Sequence, residues 1–390
     1  MNKIKILGIT GIRSEYDILF PVLNLLRNDD RFEVKIVVSG AHLSDWHGNV
    51  LDKISSEGFV IADRIDSLLM TNRKTQRVKG VGLLTTGLAQ TVEREAPDFL
   101  YVVGDREESI ATALVGNYMD VLVAHLGGGD PVYGNADDPI RFAVSKLAHL
   151  HLTTATPYAE NLRKIGEDDF RIFDVGNPVY DSIAAVPAVD LPELSKELDF
   201  DITDGRYIVV IKHPLSSEKD QAYFQMKTAL DGLSEFCKKT GYKVAGIFPN
   251  TDPGSYDIIN AIHEVESNSS IRFFKTLPRE IFVNLVRHAR ALAGNSSMGI
   301  LEAPFYKLPV VNIGNRQQGR LNAGNVEFVK YDPAIICEAL IKATSDEKYR
   351  EKIRNLVNPY GKGQTSEKIR DILLSVDLND KKWYIKEHLC

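Results

Sequence analysis

Short β-branched apolar runs alternate with longer segments of helical periodicity along nearly the whole chain, and this alternation leaves few architectures open. In the first half the runs are Ile4–Ile9, Val34–Ser39, Phe99–Gly104 and Val121–Leu126. Each is brief, continuous and bounded by turn residues, which suits parallel strands covered on both faces. Between them, Ile18–Arg27 and Leu83–Glu95 repeat apolar residues at intervals of three and four, the spacing of a helix with one buried stripe. A β-α-β-α order requires right-handed crossovers and gives a doubly wound α/β sheet. The pattern runs on through His151–Ala155 and Phe170–Pro178, then breaks between about Ala184 and Gly205, where Pro, Asp and Glu gather. It resumes with Tyr207–Ile211, Val244–Pro249, Ile271–Phe274, Ala291–Asn295 and Pro309–Gly314, and Ser366–Ser375 reads as a last helix. Two doubly wound domains are expected, one over residues 1–180 and one over 200–365, with 366–390 as a terminal helix and tail.

A chain of 390 residues exceeds one ordinary core, in keeping with two domains. Its net charge of -6 gives no general reason to bind nucleic acid or an anionic membrane. No stretch approaches the roughly 20 apolar residues of a membrane span. The start, MNKIKILGIT, reads as a first buried strand rather than a signal peptide. Cys237, Cys337 and Cys390 are odd in number and widely spaced, which suggests neither a metal site nor a disulfide framework and fits a reducing cytoplasm.

In an open α/β sheet the ligand binds beyond the carboxyl ends of the strands, so the strand-end turns carry the functional information. Thr10-Gly11-Ile12-Arg13-Ser14-Glu15-Tyr16 follows the first strand; its glycine lets backbone N–H groups approach a phosphate and Arg13 adds a cation, although a tight turn with a surface Arg is an equal reading. It is not a GxGxxG dinucleotide fingerprint. Gly104-Asp105-Arg106-Glu107 ends the third clear strand, and acidic residues there also suit a solvated first helical turn. The densest stretch runs from His125 through Gly127-Gly128-Gly129-Asp130 to Asp137-Asp138-Pro139-Ile140-Arg141. Helix capping accounts for one of Asp137 and Asp138, with Pro139 in the first turn, but not for Asp130 or three successive glycines. Carboxylates gathered in one crevice disfavour each other's ionised forms, which keeps one available for proton transfer near neutral pH.

In the second half, Lys212-His213-Pro214 ends a strand, and Gly294-Asn295-Ser296-Ser297-Met298-Gly299 passes from a strand into a presumed helix whose N–H groups and hydroxyls suit a diphosphate. Glu302 lies where it could accept from a ribose, and Arg316 and Arg320 in the following turn could neutralise phosphate, a plain surface loop being as good a reading for Arg320. His149 and His151 read as a helix-to-strand junction rather than a metal pair.

Taken in order, these segments resemble the hydrolysing branch of the UDP-N-acetylglucosamine 2-epimerase family, which shows G-T-R-x-[DE]-Y, G-D-R, H-[IV]-x-G-G-E, D-D-x-[IV]-R-H, a strand-end H-P, G-N-S-S-x-G-[IL]-x-E-A-P and G-x-R-Q-x-x-R. The match keeps register from Gly11 to Arg320. The resemblance implies a GT-B-like fold, two Rossmann-type domains facing a central cleft, with 366–390 crossing back onto the first. It implies that a carboxylate removes the C2 proton of UDP-N-acetylglucosamine and that UDP leaves by anti elimination. The 2-acetamidoglucal then takes up water at C1 and a proton at C2 to give N-acetylmannosamine. By motif position Asp105, Asp130 and Asp137 or Asp138 share acid and base duty, and His213 meets the departing diphosphate. Arg13, Arg106, Ser296, Ser297 and Arg316 hold phosphates, with Arg141, Asn295 and Arg320 in the same binding set, Glu302 on the ribose and Phe282 against uracil, although a core Phe is the stronger reading. No metal or other cofactor is implied, and the family suggests a homo-oligomer, dimer or tetramer.

Three positions depart from the pattern: Asp130 stands for Glu, Phe142 for His and Ile12 for Thr. An Asp shifts the acid by about one bond length, enough to matter to a proton transfer. The departures keep open a 2,4-diacetamido-2,4,6-trideoxy sugar, as in legionaminic acid synthesis, since Phe142 suits a deoxy C6. A GT-B glycosyltransferase would share the second-half motifs but has no need of the carboxylate series. A binding protein that has lost the chemistry is the remaining alternative.

Overall fold

The computed structural model describes residues 3–44, 51–69, 75–131, 137–249 and 254–386, leaving the side chains of Asp137 and Ser216, and Cys390, outside that description. The chain divides into two compact units, residues 1–182 together with 360–390, and residues 183–359. Each is built on one parallel sheet.

The first sheet has strands β1 (Ile4–Thr10), β2 (Phe32–Ser39), β3 (Val60–Ile65), β4 (Phe99–Val103), β5 (Leu122–Leu126), β6 (Leu150–Thr153) and β7 (Ile172–Asp174), in the order β3-β2-β1-β4-β5-β6-β7. All its pairings are parallel. Successive side chains on a strand face opposite ways, and both faces are apolar. Phe99, Tyr101 and Val103 join one core cluster while Leu100 and Val102 join another. The helix Arg13–Arg27 covers the first face through Leu19, Leu23 and Leu26, and the helices Thr75–Glu95 and Glu107–Tyr118 cover the second through Leu84, Leu88, Ala111 and Val115.

The second sheet has β8 (Tyr207–Ile211), β9 (Lys243–Ile247), β10 (Ile271–Phe274), β11 (Leu292–Gly294), β12 (Val310–Ile313) and β13 (Val326–Val329), ordered β10-β9-β8-β11-β12-β13. Ile208 and Val210 face one core, and Tyr207, Val209 and Ile211 the other. Cys237 and Cys337 are free thiols buried in the first of these cores. The Pro/Asp/Glu-rich stretch contains the helix Leu191–Leu198, capped by Asp190, whose carboxylate accepts from Glu193 N at 2.9 Å.

In each sheet the strand order reverses direction once, between β1 and β4 and between β8 and β11. Chain crossovers leave these positions to opposite faces, which opens a crevice at the carboxyl ends of the two strands. Every strand-end motif singled out in the sequence belongs to one of these strands or to a neighbour, β5 or β12.

The chain returns to the first unit at Tyr360 rather than at Ser366. Tyr360 O accepts from Asn177 N at 2.9 Å, and Asp181 accepts from Thr365 N and Ser366 N. Ile369 and Leu373 of the helix Thr365–Ser375 then enter the core beside Leu19 and Leu23. Past this helix, the Arg171 guanidinium, 1% exposed, donates to Trp383 O at 2.8 Å, Ile385 O at 2.7 Å, His149 O at 3.2 Å and Lys382 O. One buried cation thus satisfies four carbonyls and ties down the end of the chain. No helix among the described residues is long and apolar enough to cross a membrane. Arg171→Met should strand those carbonyls and cost about 3 kcal/mol or more. Urea melts would read the loss, and faster amide exchange over residues 381–386 would localise it; a tail protected as in the wild type would contradict this account.

Candidate active site

The β1/β4 crevice is built around charge. Asp105 and Arg106 follow β4, and Asp130 closes the glycine turn after β5. Arg141, 9% exposed, reaches back from the helix Asp137–Leu147. Its Nε donates to Asp105 Oδ2 at 3.1 Å and its Nη2 to the same oxygen, while its Nη1 donates to Gly127 O at 2.8 Å and lies 3.5 Å from Asp130 Oδ2. The planar, multidentate guanidinium is suited to holding two carboxylates and a carbonyl in one plane. Arg141, expected from the sequence in the substrate-binding set, here faces the protein's own acids. Asp138 lies half-buried in the first turn of the same helix.

The glycines of this turn have conformational and packing reasons, Gly127 through its φ of +82°. Gly129 has φ +76°, and a Cβ there would overlap Tyr158 O. Asn161 Nδ2 fixes the turn by donating to Gly129 O at 3.0 Å. Beneath it, His125 is fully buried on β5, and its Nε2 donates to Gly104 O at 2.7 Å, a carbonyl that can only accept. Burial pushes its pKa down to about 3, so the ring is neutral and pins the loop that carries Asp105.

A second acid group lies beside the first. Glu15 and Glu108 are buried, 6% and 4% exposed, and each places an oxygen 3.9 Å from Arg106 Nε. Glu15 accepts from Gly11 N at 3.1 Å, so the turn's N–H that the sequence offers to a phosphate is taken by this chain's own carboxylate. Gly11 is required here because a Cβ would overlap the Glu108 carboxylate. Burial pushes the Glu15 carboxyl well up, with the Glu108 charge adding to it and Arg106 opposing. Glu108 is also raised by burial, against the pull of Arg106. Sequence reasoning passed over both as site residues; the signal was present in an acid in the first turn of each helix, third in Arg13–Arg27 and second in Glu107–Tyr118. Arg106 borders a cavity of ≈ 190 Å³ shared with Gly11, Gly40, Leu68 and Arg77. Arg13 turns away along its own helix, exposed, with Nε 3.6 Å from Asp17.

In the second unit Asn295, 2% exposed, is the staple of the β8/β11 crevice. Its Oδ1 accepts from His213 N at 2.7 Å, its Nδ2 donates to His213 O at 2.8 Å, and its carbonyl accepts from Arg316 Nη1 and Gln317 Nε2, both at 3.1 Å. Gln317 Oε1 in turn accepts from Arg320 Nη1 at 3.1 Å. One residue, through its side-chain amide on His213 and its backbone carbonyl on Arg316 and Gln317, thus brings the two turns together, so Asn295 organises the crevice. Gln317, which the sequence did not single out, completes it. Ser296 and Ser297 sit half-buried next to this staple. The helix that follows, Met298–Leu301, is only four residues long, too short for the helix-dipole argument made from the sequence, and Ser296 Oγ accepts from its first N–H at 3.3 Å. Glu302 follows it, half-buried. Phe282 packs on the core containing Leu285 and Val286, as a core residue of its helix Arg279–His288 does. Among the described residues no group of three or more His, Cys, Asp or Glu side chains could hold a metal.

A family model described as UDP-N-acetylglucosamine 2-epimerase matches residues 24–374. The chain belongs to that family. It is 29% identical over 377 residues, 97% of each chain, to the hydrolysing UDP-N,N'-diacetylbacillosamine 2-epimerase of Legionella pneumophila. It is 31% identical over 331 residues, 84% of each, to the hydrolysing GDP/UDP-N,N'-diacetylbacillosamine 2-epimerase of Campylobacter jejuni. Among solved structures, that of UDP-GlcNAc 2-epimerase from Neisseria meningitidis bound to UDP-GlcNAc superposes with a TM-score of 0.79 at 20% identity, covering 96% of this chain and 100% of that one. The fold is thus the GT-B-like fold of this family's structures.

The raised Glu15 carboxyl has a consequence for stability. Its folded-state pKa lies above the ordinary 4.5, so its contribution is fully present below that pH and is lost as pH rises through the folded value. Gln keeps the acceptor for Gly11 N and does not titrate. Glu15→Gln should therefore gain stability over the wild type as pH rises above about 4.5, seen as urea midpoints that diverge between pH 5 and pH 8. Parallel curves would contradict the buried-acid description.

Proposed function

We propose that this chain removes the C2 proton of a UDP-linked 2-acetamido sugar, expels UDP from C1 by anti elimination, and hydrates the resulting glycal. Water adds at C1 and a proton returns to C2 on the opposite face, so UDP and the free manno-configured sugar are the products. The single observation that supports this most strongly is the Arg141 guanidinium ordering Asp105 and Asp130 together at the strand ends. Elimination needs a base on one face of C2, and return of a proton needs an acid on the other. Asp105, Asp130 and Asp137 or Asp138 are the groups assigned to these steps. His213, Ser296, Ser297, Arg316 and Arg320 are assigned to the diphosphate, and Glu302 to the ribose.

UDP-N-acetylglucosamine is the first substrate in this reading, with N-acetylmannosamine as its product. A 2,4-diacetamido-2,4,6-trideoxy sugar is the second, and two observations favour it. Relatives 29% and 31% identical carry names that specify diacetamido sugars. Phe142, half-buried, stands where the family pattern has His.

Incubating the protein with each UDP-sugar in heavy water and following the reaction by NMR tests the proposal. Free UDP and a manno-configured sugar carrying deuterium at C2 are expected from one of the two substrates. A product that keeps its nucleotide would overturn the hydrolytic step, and turnover of neither would overturn the substrate class. Asp105→Asn should lower the rate at least about 100-fold.

A further inference from the structure

Lys212 is buried without a matching anion. It follows β8 directly and is 2% exposed, yet its Nζ finds no hydrogen-bond acceptor among the described residues. The ammonium lies 5.2 Å over the Tyr331 ring, a cation–π contact that offsets only part of the desolvation. Burial lowers its pKa to about 8; the Glu218 carboxylate pulls upward and the Arg316 charge pushes further down.

The groups facing it come from every neighbouring strand end. Glu218 lies in the turn Ser216–Gln221, where Gln225 Nε2 engages its carboxylate at 2.6 Å. Arg316 comes from the loop after β12, Tyr331 from the segment after β13, and His213 is its chain neighbour. Tyr331 is held neutral, its pKa pushed up to about 12 by burial and by Glu218. Two cations therefore share this place with one carboxylate that is already engaged. A buried ion is a poor stabiliser: an apolar side chain of similar length would fill the space at no loss, and often with a gain. What the arrangement suits is an incoming anion of more than one charge.

We propose that Lys212 is a further diphosphate-binding residue, a second cation acting with Arg316 on the phosphates of a nucleoside diphosphate. This rests on the reading that the second unit binds UDP. The residue lies at the β8/β11 reversal, next to the His213 backbone latched by Asn295. An anion here stabilises the charged ammonium and so draws in a proton wherever free Lys212 is partly neutral, near and above pH 8.

Calorimetric titration of the full chain with UDP, and with uridine as the phosphate-free control, provides the test. Wild-type protein should take up a fraction of a proton on binding UDP at pH 8.5, measured in buffers of different ionisation enthalpy, and should bind more weakly at pH 9 than at pH 7. Lys212→Met should weaken UDP about 10-fold or more at pH 7, leave uridine unchanged and abolish the proton uptake. Lys212→Arg should restore UDP affinity and make it flat with pH, which rescue of a purely structural role would not do. Wild-type UDP affinity and proton uptake in a folded Lys212→Met protein would overturn the proposal. Should Lys212→Met not fold, an arginine variant that keeps the wild-type proton uptake would overturn it equally. Failure of the wild type to bind UDP would overturn instead the functional reading on which it rests.

Discussion

The Arg141 guanidinium gathers groups that the chain delivers from separate places: Asp105 after β4, Asp130 at the end of the glycine turn, and Gly127 O within it. Two carboxylates so close together would otherwise repel each other and the turn would be free to spread. A planar cation donating in three directions fixes both the spacing of the acids and the path of the backbone. Much of the surrounding structure serves this contact. His125, neutral because it is buried, pins the Asp105 loop through Gly104 O, and Asn161 of the helix Thr156–Lys164 holds the turn through Gly129 O.

The second unit solves a similar problem with a neutral group. Asn295 offers a donor and two acceptors and uses all of them to join the His213 turn to the Arg316 loop. Arg316 is anchored directly on Asn295 O, and Arg320 through Gln317 Oε1. One unit uses a cation to order acids, and the other uses an amide to order cations. That division matches the one between proton transfer and diphosphate binding in the proposed reaction.

The central strands of both sheets were plain in the sequence because burial on both faces removes polar interruptions, as in Phe99–Val103 and Tyr207–Ile211. Of the four edge strands, β7 and β10 were also legible, but β3 and β13 were not. Val60–Ile65 carries Asp63 and Arg64, and Val326–Val329 carries Glu327, since an edge needs only one covered side. The strand-end motifs were legible by position, but not in what each side chain does there. A sequence shows that Arg141 and Asp105 both lie near strand ends; only the fold shows that they meet 36 residues apart. The glycines of the turn after β5 stand out in the sequence, and only the fold shows that they admit positive φ at Gly127 and Gly129 and the approach of Tyr158 O to Gly129. Glu15 and Glu108 were passed over because an acid in a first helical turn has an ordinary capping explanation. Only their shared burial against Arg106 sets them apart.

The most direct test of the central claim is the rate of C2 proton exchange in Arg141→Lys, measured by deuterium incorporation into product alongside UDP affinity. Lysine keeps the charge but cannot hold Asp105, Asp130 and Gly127 O in one plane. If Arg141 orders the chemistry, exchange should fall by about 100-fold or more while UDP binding stays within about threefold of the wild type. Wild-type exchange in this variant, or a loss of UDP affinity in step with the rate, would contradict the account.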